Sequence, residues 1–194
     1  DLFDMYVQAY PKYGSEKKGL PTTYYLTASP NHVKTHNELE FVEFVPLNDV
    51  NAFNLANPLK GLQSKGMLFV QTHKISHSDI WSDIPKWAQK IIMKRKIKVL
   101  ALDTVKIAKE ISSKADLIQR MQGIVLLGIF LKATPFLNRS GISEKELMNS
   151  VERSLQKYFG KRGDQVVKDN LNCVKRGFKE VFEVQQAQKE GAAT

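Results

Sequence analysis

GMLFVQTHKISHSDIWSDIPKWAQKIIMKRKIKVLALDT, residues 66–104, is the stretch that decides the fold. It opens on GMLFVQT (66–72), a short apolar run led by a glycine, and closes on IKVLALDT (97–104), a second run of the same kind. Continuous apolar runs of this length mark strands covered on both faces. Between them, residues 83–95 predict a helix, with Ser82 or Asp83 as its cap and Pro85 in its first turn, where a missing N–H is tolerated. Strands alternating with helices argue for an α/β unit built on a parallel sheet. The fold class expected is α/β, a mostly parallel Rossmann-like sheet with flanking helices and a C-terminal helical segment.

Upstream, TTYYLTAS (22–29) is rich in Thr and Tyr and predicts a strand, as does LEFVEFVP (39–46), while LNDVNAFNLAN (47–57) suits one or two short helical turns. Downstream the chain turns helical. Asp103 is placed to cap TVKIAKEIS, and residues 116–134 predict a helix that is apolar on most sides. Gly123 and Gly128 lie inside it; each costs roughly 1 kcal/mol against Ala, so the pair suggests close backbone approach to a neighbour. Ser143 and Glu146 form a capping box. The helix it opens carries Leu147, Val151, Leu155 and Tyr158 on one side. A last helix from near Gly163 carries Val167, Leu171, Val174, Phe178 and Val181, a seam of period 3.5 suited to packing along another helix. The closing QQAQKEGAAT is polar and small and is expected to fray.

Composition narrows the function classes. The 194 residues suit one domain, or one with an appendage, and 42% hydrophobic with 25% charged residues is ordinary for a globular chain. The longest uncharged apolar run, MQGIVLLGIFL (121–131), is too short for a bilayer, which needs about 20 residues. No signal peptide is visible, so a cytoplasmic location is the default. Cys173 is the single cysteine: it forms no internal disulfide and cannot alone hold an iron–sulfur cluster or a structural zinc. It falls in a helical pattern and reads as a small, half-buried side chain. The 29 Lys+Arg against 20 Asp+Glu give a net charge of +9, which invites an acidic partner, nucleic acid included. The charge is scattered, however, no nucleic-acid motif accompanies it, and its densest run, KIIMKRKIK (90–98), reads as a solvated helix end. His32 and His36, and His73 and His77, are each four apart, yet they fall in loop-like sequence and read as no metal site. No catalytic constellation emerges from the residues themselves.

One loop stands out. PKYGSEKKGLPT (11–22) frames one glutamate and three lysines with two prolines and two glycines. YVQAYPKYGSEKKGLPTTYYLT resembles the gamma domain of the 2-oxoacid:ferredoxin (pyruvate:ferredoxin) oxidoreductase family. That family carries V-Q-x-x-P-x-x-G-x-E-x-x-G-x-P ahead of a strand, matched here by Val7, Gln8, Pro11, Gly14, Glu16, Gly19 and Pro21. NPLKGLQSKGMLFVQT, VLALDTVKIAKEI, MQGIVLLGIFLKAT and the two closing helices resemble later family segments in the same order, so that the likeness spans about residues 5–182. Two departures stand against it. The family's opening strand and Gly-rich turn are missing ahead of the V-Q phrase, and Lys17-Lys18 replace an Arg-rich version of the loop.

The resemblance implies a non-catalytic gamma subunit, with residues 1–184 as the gamma-type domain and 185–194 as a polar tail. The enzyme it implies oxidatively decarboxylates a 2-oxoacid to acyl-CoA and CO2 and passes electrons to ferredoxin. Thiamine diphosphate, Mg2+ and iron–sulfur clusters are then expected in alpha, beta and ferredoxin-like (delta) partners, with coenzyme A bound in the complex and no nucleic acid or membrane as partner. Lys12, Gly14, Glu16, Lys17, Lys18 and Gly19 become the candidate contact residues. Three readings of this loop stay open: coenzyme A phosphates, a partner subunit, or a solvated turn. The rival class is a stand-alone basic α/β module for a nucleotide or RNA, against which stands the lack of a complete phosphate loop in the sequence.

Overall fold

A computed structural model describes residues 5–12, 23–34, 39–112 and 117–186. The chain divides into two compact units, each drawn from separated stretches: residues 1–40 with 104–180, and residues 41–103 with 181–194.

The second of these holds the sheet. β3 (Val42–Leu47), β4 (Leu62–Gln71) and β5 (Lys98–Leu102) pair in parallel in that order, and β6 (Phe182–Glu183) closes the edge antiparallel to β5. The α/β class with a mostly parallel sheet is therefore correct. Leu68, Val70, Val99 and Ala101 are buried in the strands, and the core they join includes Ile80, Trp81, Ile84, Ala88 and Ile92. The short helix α1 (Ala52–Leu55) buries Phe53.

β4 starts four residues before the glycine-led run. Leu62 pairs with Val42 and Met67 with Phe44, so the strand bulges between them. Lys65 takes a left-handed φ of 63°, and a Cβ on Gly66 would lie 2.8 Å from the Gln63 carbonyl oxygen. The glycine is thus the centre of the bulge and not the head of the strand.

The helix expected over 83–95 forms as α3 (Lys86–Arg95), and an unexpected helix, α2 (His77–Asp83), precedes it. The break has a steric cause. A residue before proline is pushed from helical to extended backbone, and Ile84, before Pro85, has ψ 124° and is buried. Asp83 therefore ends α2 and pairs with Lys74 at 2.6 Å, while Ser76 caps α2 by accepting from the Asp79 N–H. The basic run 90–98 is not wholly solvated either. Arg95 turns inward and its Nη1 donates to the carbonyls of Leu59 (3.2 Å) and Leu62 (2.9 Å).

After β6 the chain stays on this unit. Val184 N donates to Val99 O, Gln185 N to His77 Nδ1, and the Gln186 amide to Ile97 O.

The other unit contains a hairpin of β1 (Tyr6–Lys12) and β2 (Thr23–Ser29), and the helices α4 (Thr104–Ile111), α5 (Ile118–Ala133), α6 (Phe136–Ser140), α7 (Glu144–Phe159) and α8 (Asp164–Glu180). Leu131, Leu147, Met148, Val151, Leu155, Val167, Leu171, Val174 and Phe178 form its helical core. The α8 seam is buried from Val167 to Phe178, but Val181 lies beyond the helix and is half-buried. On α7, Leu147, Val151 and Leu155 face inward, whereas Tyr158 is 71% exposed; Met148 takes the fourth buried place. The capping box is present, with Ser143 N donating to Glu146 Oε2 (2.8 Å) and Glu146 N to Ser143 Oγ (3.3 Å).

Of the two glycines in α5, only Gly128 makes a close approach. Its absent Cβ leaves room for the Val174 main chain, and Gly177 on α8 does the same for the Val125 main chain. Gly123 has nothing within 4 Å. Across the top of this contact Arg176 joins Glu110 of α4 (2.6 Å) to Glu180. Among the described residues no helix is long and apolar enough to cross a membrane.

Candidate functional site

The segment singled out for function is a two-stranded antiparallel ribbon and the ten residues, 13–22, that join its strands. Lys12 is the last residue of β1 and pairs with Thr23. Gly14, Glu16, Lys17, Lys18 and Gly19 lie outside the described residues.

The ribbon itself was not anticipated. Tyr6, Val7 and Tyr10 suit a strand, but Gln8, Pro11 and Lys12 obscure the pattern, and the run pairs with β2 along its length. Pro11 lacks an N–H, which a strand tolerates when one edge faces no partner, and β1 pairs with β2 alone in this sheet.

Cross-strand partners share a face. Val7 pairs with Ala28, Ala9 with Leu26, and Pro11 with Tyr24, so one face carries six apolar residues and no charge. Tyr24 is 66% exposed, Val7 62% and Leu26 46%; Ala9 and Pro11 are exposed as well, and Ala28 is half-buried. The opposite face pairs Tyr6 with Ser29, Gln8 with Thr27 and Tyr10 with Tyr25. There Gln8, Tyr25, Thr27 and Ser29 are half-buried, and the Tyr6 ring meets His32 at 5.4 Å between centroids. Tyr6, at 53%, and Thr23 are exposed on this face as well.

The histidines do not converge. His36 lies outside the described residues, and His73 follows β4. His77 is not in a loop: it opens α2, accepts from Gln185 N and stacks edge-on with Phe182 at 5.6 Å. Among the described residues no three of His, Cys, Asp and Glu are grouped to hold a metal ion. Cys173 is fully buried, not half-buried, and burial pushes its thiol up to about 12, with Asp169 adding to the effect and Arg176 opposing it. A thiol held protonated in this way is a poor nucleophile.

In open parallel sheets ligands gather beyond the carboxyl ends of the strands. At that edge Asp103 accepts a hydrogen bond from the Gln71 amide at 3.1 Å. The sequence reading missed this pair because Gln and Asp at the ends of separate strands form no spacing pattern. An open depression of about 370 Å³ on α8, lined by Gln165, Lys168, Asp169, Leu171, Asn172 and Lys175, is polar and shallow and holds no convergent chemistry.

Residues 1–180 match the family described as pyruvate ferredoxin/flavodoxin oxidoreductase. The chain is 26% identical over 184 residues to a pyruvate:ferredoxin oxidoreductase of Moorella thermoacetica, covering 95% of this chain but 15% of that protein. It is 27% identical over 177 residues to pyruvate synthase subunit PorC of Thermotoga maritima, covering 91% of this chain and 79% of that subunit. A crystal structure of a pyruvate oxidoreductase subunit PORC from Thermotoga maritima superposes with a TM-score of 0.62 at 20% identity, over 93% of this chain and 83% of that one, which speaks for the fold.

Proposed function

We infer function from the family to which this chain belongs, pyruvate ferredoxin/flavodoxin oxidoreductase, and propose that it is the gamma-type subunit of a thiamine-dependent 2-oxoacid:ferredoxin oxidoreductase. The observation that carries this reading is one of extent. The match covers 91% of this chain and 79% of a relative that is itself named as a subunit. It covers 15% of the longer Moorella relative. The same segment is thus most of a subunit in one relative and a small part of a long chain in another.

On this reading the gamma-type domain extends over residues 1–184. Residues 185–194 follow as a polar tail whose first two members, Gln185 and Gln186, are hydrogen-bonded to it. The enzyme joins the acyl group of a 2-oxoacid to coenzyme A, releases CO2 and sends two electrons singly to ferredoxin, in the cytoplasm. This chain's one cysteine cannot supply the set of thiolates that an iron–sulfur cluster needs. On this reading the clusters belong to other parts of the enzyme, and thiamine diphosphate and Mg2+ are assigned with them to alpha, beta and ferredoxin-like (delta) partners. The chain's own task is assembly, with the 11–19 loop reaching toward coenzyme A or a partner surface. Lys12, Lys17 and Lys18 supply positive charge for phosphates or carboxylates, and Gly14 and Gly19 permit close approach.

The experiment is a charge reversal, Lys17→Glu with Lys18→Glu, in the assembled enzyme. A raised KM for coenzyme A with assembly intact identifies phosphate contact. Weaker co-purification, worse in high salt because exposed charges are screened, identifies subunit contact. No change in either leaves the loop a solvated turn. A native chain that runs alone in size exclusion, with no oxidoreductase subunits bound, defeats the subunit reading.

A further inference from the structure

Three bonds of different kinds tie down the chain after β6. Val184 N donates to Val99 O at 2.7 Å, and the Val184 side chain is buried in the core of the sheet unit. Gln185 is exposed and Gln186 half-buried, and polar bonds alone hold them: Gln185 N donates to His77 Nδ1 and the Gln186 amide to Ile97 O, both at 2.9 Å. Of the three acceptors, the imidazole is the one that pH changes. A ring nitrogen accepts only through its lone pair, so the neutral ring that holds Gln185 carries its proton on Nε2. A second proton must go to Nδ1, which turns the acceptor into a donor facing another N–H. We propose that His77 is a pH-sensitive latch on the C-terminal segment, closed while its ring is neutral and opened from Gln185 onward when the ring takes a second proton. Both partners lie in the sheet unit, and nothing in the latch depends on the gamma-type reading.

The charged groups around the ring are committed elsewhere or turned away. Phe182 of β6, which meets the imidazole at 5.6 Å between centroids, carries no charge. Glu183, next along β6, points to the other face of the strand by alternation and pairs with Lys98 at 3.8 Å. On α2, Asp79 is two residues from His77, a spacing at which helical side chains do not face each other. Asp83 is paired with Lys74 at 2.6 Å. His73, ahead of α2, and Lys96, beside Ile97, are exposed. Lys189 and Glu190 of the tail lie outside the described residues. Among the described residues no carboxylate forms an ion pair with His77. The direction follows from the chemistry of the acceptor: the bond is present at higher pH and is lost as pH falls and the ring is protonated.

The test is amide hydrogen exchange on the full, isotopically labelled chain, followed by NMR between about pH 8 and pH 5, the span in which histidine side chains ordinarily change charge. Each rate is divided by the intrinsic rate at its own pH, and the His77 ring is titrated in the same samples through its Cε1–H signal. Protection of the Gln185 amide is expected to fall about fivefold, the worth of one ordinary hydrogen bond, along the His77 titration curve. Val184, bonded to a carbonyl, should keep its protection throughout. His77→Phe retains a ring against Phe182 but offers no acceptor. In that variant Gln185 should be as weakly protected at the alkaline end as it is in the natural chain at the acid end, with no pH dependence left. Gln185 protection that ignores the His77 titration, that falls together with that of Val184, or that persists in folded His77→Phe overturns the proposal. Should His77→Phe fail to fold, the two curves of the natural chain decide: coincident midpoints support the latch, and separate midpoints overturn it.

Discussion

Replacing Gly128 with alanine should destabilise the chain, while the same change at Gly123, five residues earlier in the same helix, should stabilise it. Alanine is favoured over glycine inside a helix by about 1 kcal/mol at either place. The difference lies across the helix. At Gly123 a Cβ enters open space, so the gain is kept. At Gly128 it would overlap the Val174 carbonyl oxygen and sit 2.8 Å from Phe178 N, both main-chain atoms that no rotamer change can move aside. Restoring an ordinary contact of about 3.4 Å requires α5 and α8 to part, which loosens Leu131, Val174 and Phe178 in the core they share. Overpacking costs about 1–3 kcal/mol, and an unyielding backbone neighbour puts this site at the upper end. Net of the propensity gain, Gly128→Ala should lose about 2 kcal/mol. At roughly 2–4 °C per kcal/mol for a chain of this size, Tm should fall by about 4–8 °C, against a rise of about 2–4 °C for Gly123→Ala. Urea and thermal unfolding followed by circular dichroism read both. A Gly128→Ala variant as stable as Gly123→Ala would refute the backbone contact between α5 and α8.

Three further outcomes follow from named contacts. Leu171→Ala and Phe178→Ala should each cost about 2–5 kcal/mol because both side chains are buried in the helical core; a loss under about 1 kcal/mol, seen in the same unfolding assay, means that the seam is not packed. Native Cys173 should resist a thiol-specific reagent such as Ellman's at pH 8, where a thiol pushed up to about 12 is almost wholly protonated, and should react at once in denaturant; rapid native labelling contradicts its burial. Hydrogen bonds from Ser143 hold the Glu146 carboxyl below its usual range, so its contribution is present at neutral pH and is lost as pH falls through the folded-state value. Unfolding curves from pH 7 down to pH 3 should therefore show a smaller acid-dependent loss for Ser143→Ala than for the natural chain, on top of a pH-independent cap loss of about 1 kcal/mol.

How much the sequence revealed depended on how local the cause was. The Ser143–Glu146 box is legible because all its atoms lie within four residues. The α8 seam from Val167 to Phe178 is legible because burial repeats along one element. The break at Ile84–Pro85 was open to reading, but the apolar residues on both sides masked it. Gly177 escaped notice because it sits among Lys175, Arg176 and Lys179, and its reason, the Val125 main chain, lies on another helix. Gly123 and Gly128 look alike in sequence; only the crossing of α5 and α8 separates them. In β1, Gln8, Pro11 and Lys12 obscure a strand pattern that pairing with β2 completes. Alternation in TYYLTAS shows that Tyr24, Leu26 and Ala28 share a face, but not that this face is turned to water. The candidate residues of the 11–19 loop were chosen by resemblance, and Lys12 alone among them has a described backbone position.

The placement of β6 has a consequence for biosynthesis. Its two residues complete the edge of the sheet by pairing with Leu100 and Ala101, yet they emerge from the ribosome only after the whole helical stretch 104–180. The hairpin near the N-terminus likewise belongs to a unit whose remaining members begin at residue 104. Neither unit can close before residue 180 has been added. At roughly 5–20 residues per second, the 77 residues from 104 to 180 take about 4–15 s to translate. For that interval the β5 edge is without its final strand, and open edges recruit foreign strands. How long that edge stands open is therefore set by the order in which the segments leave the ribosome.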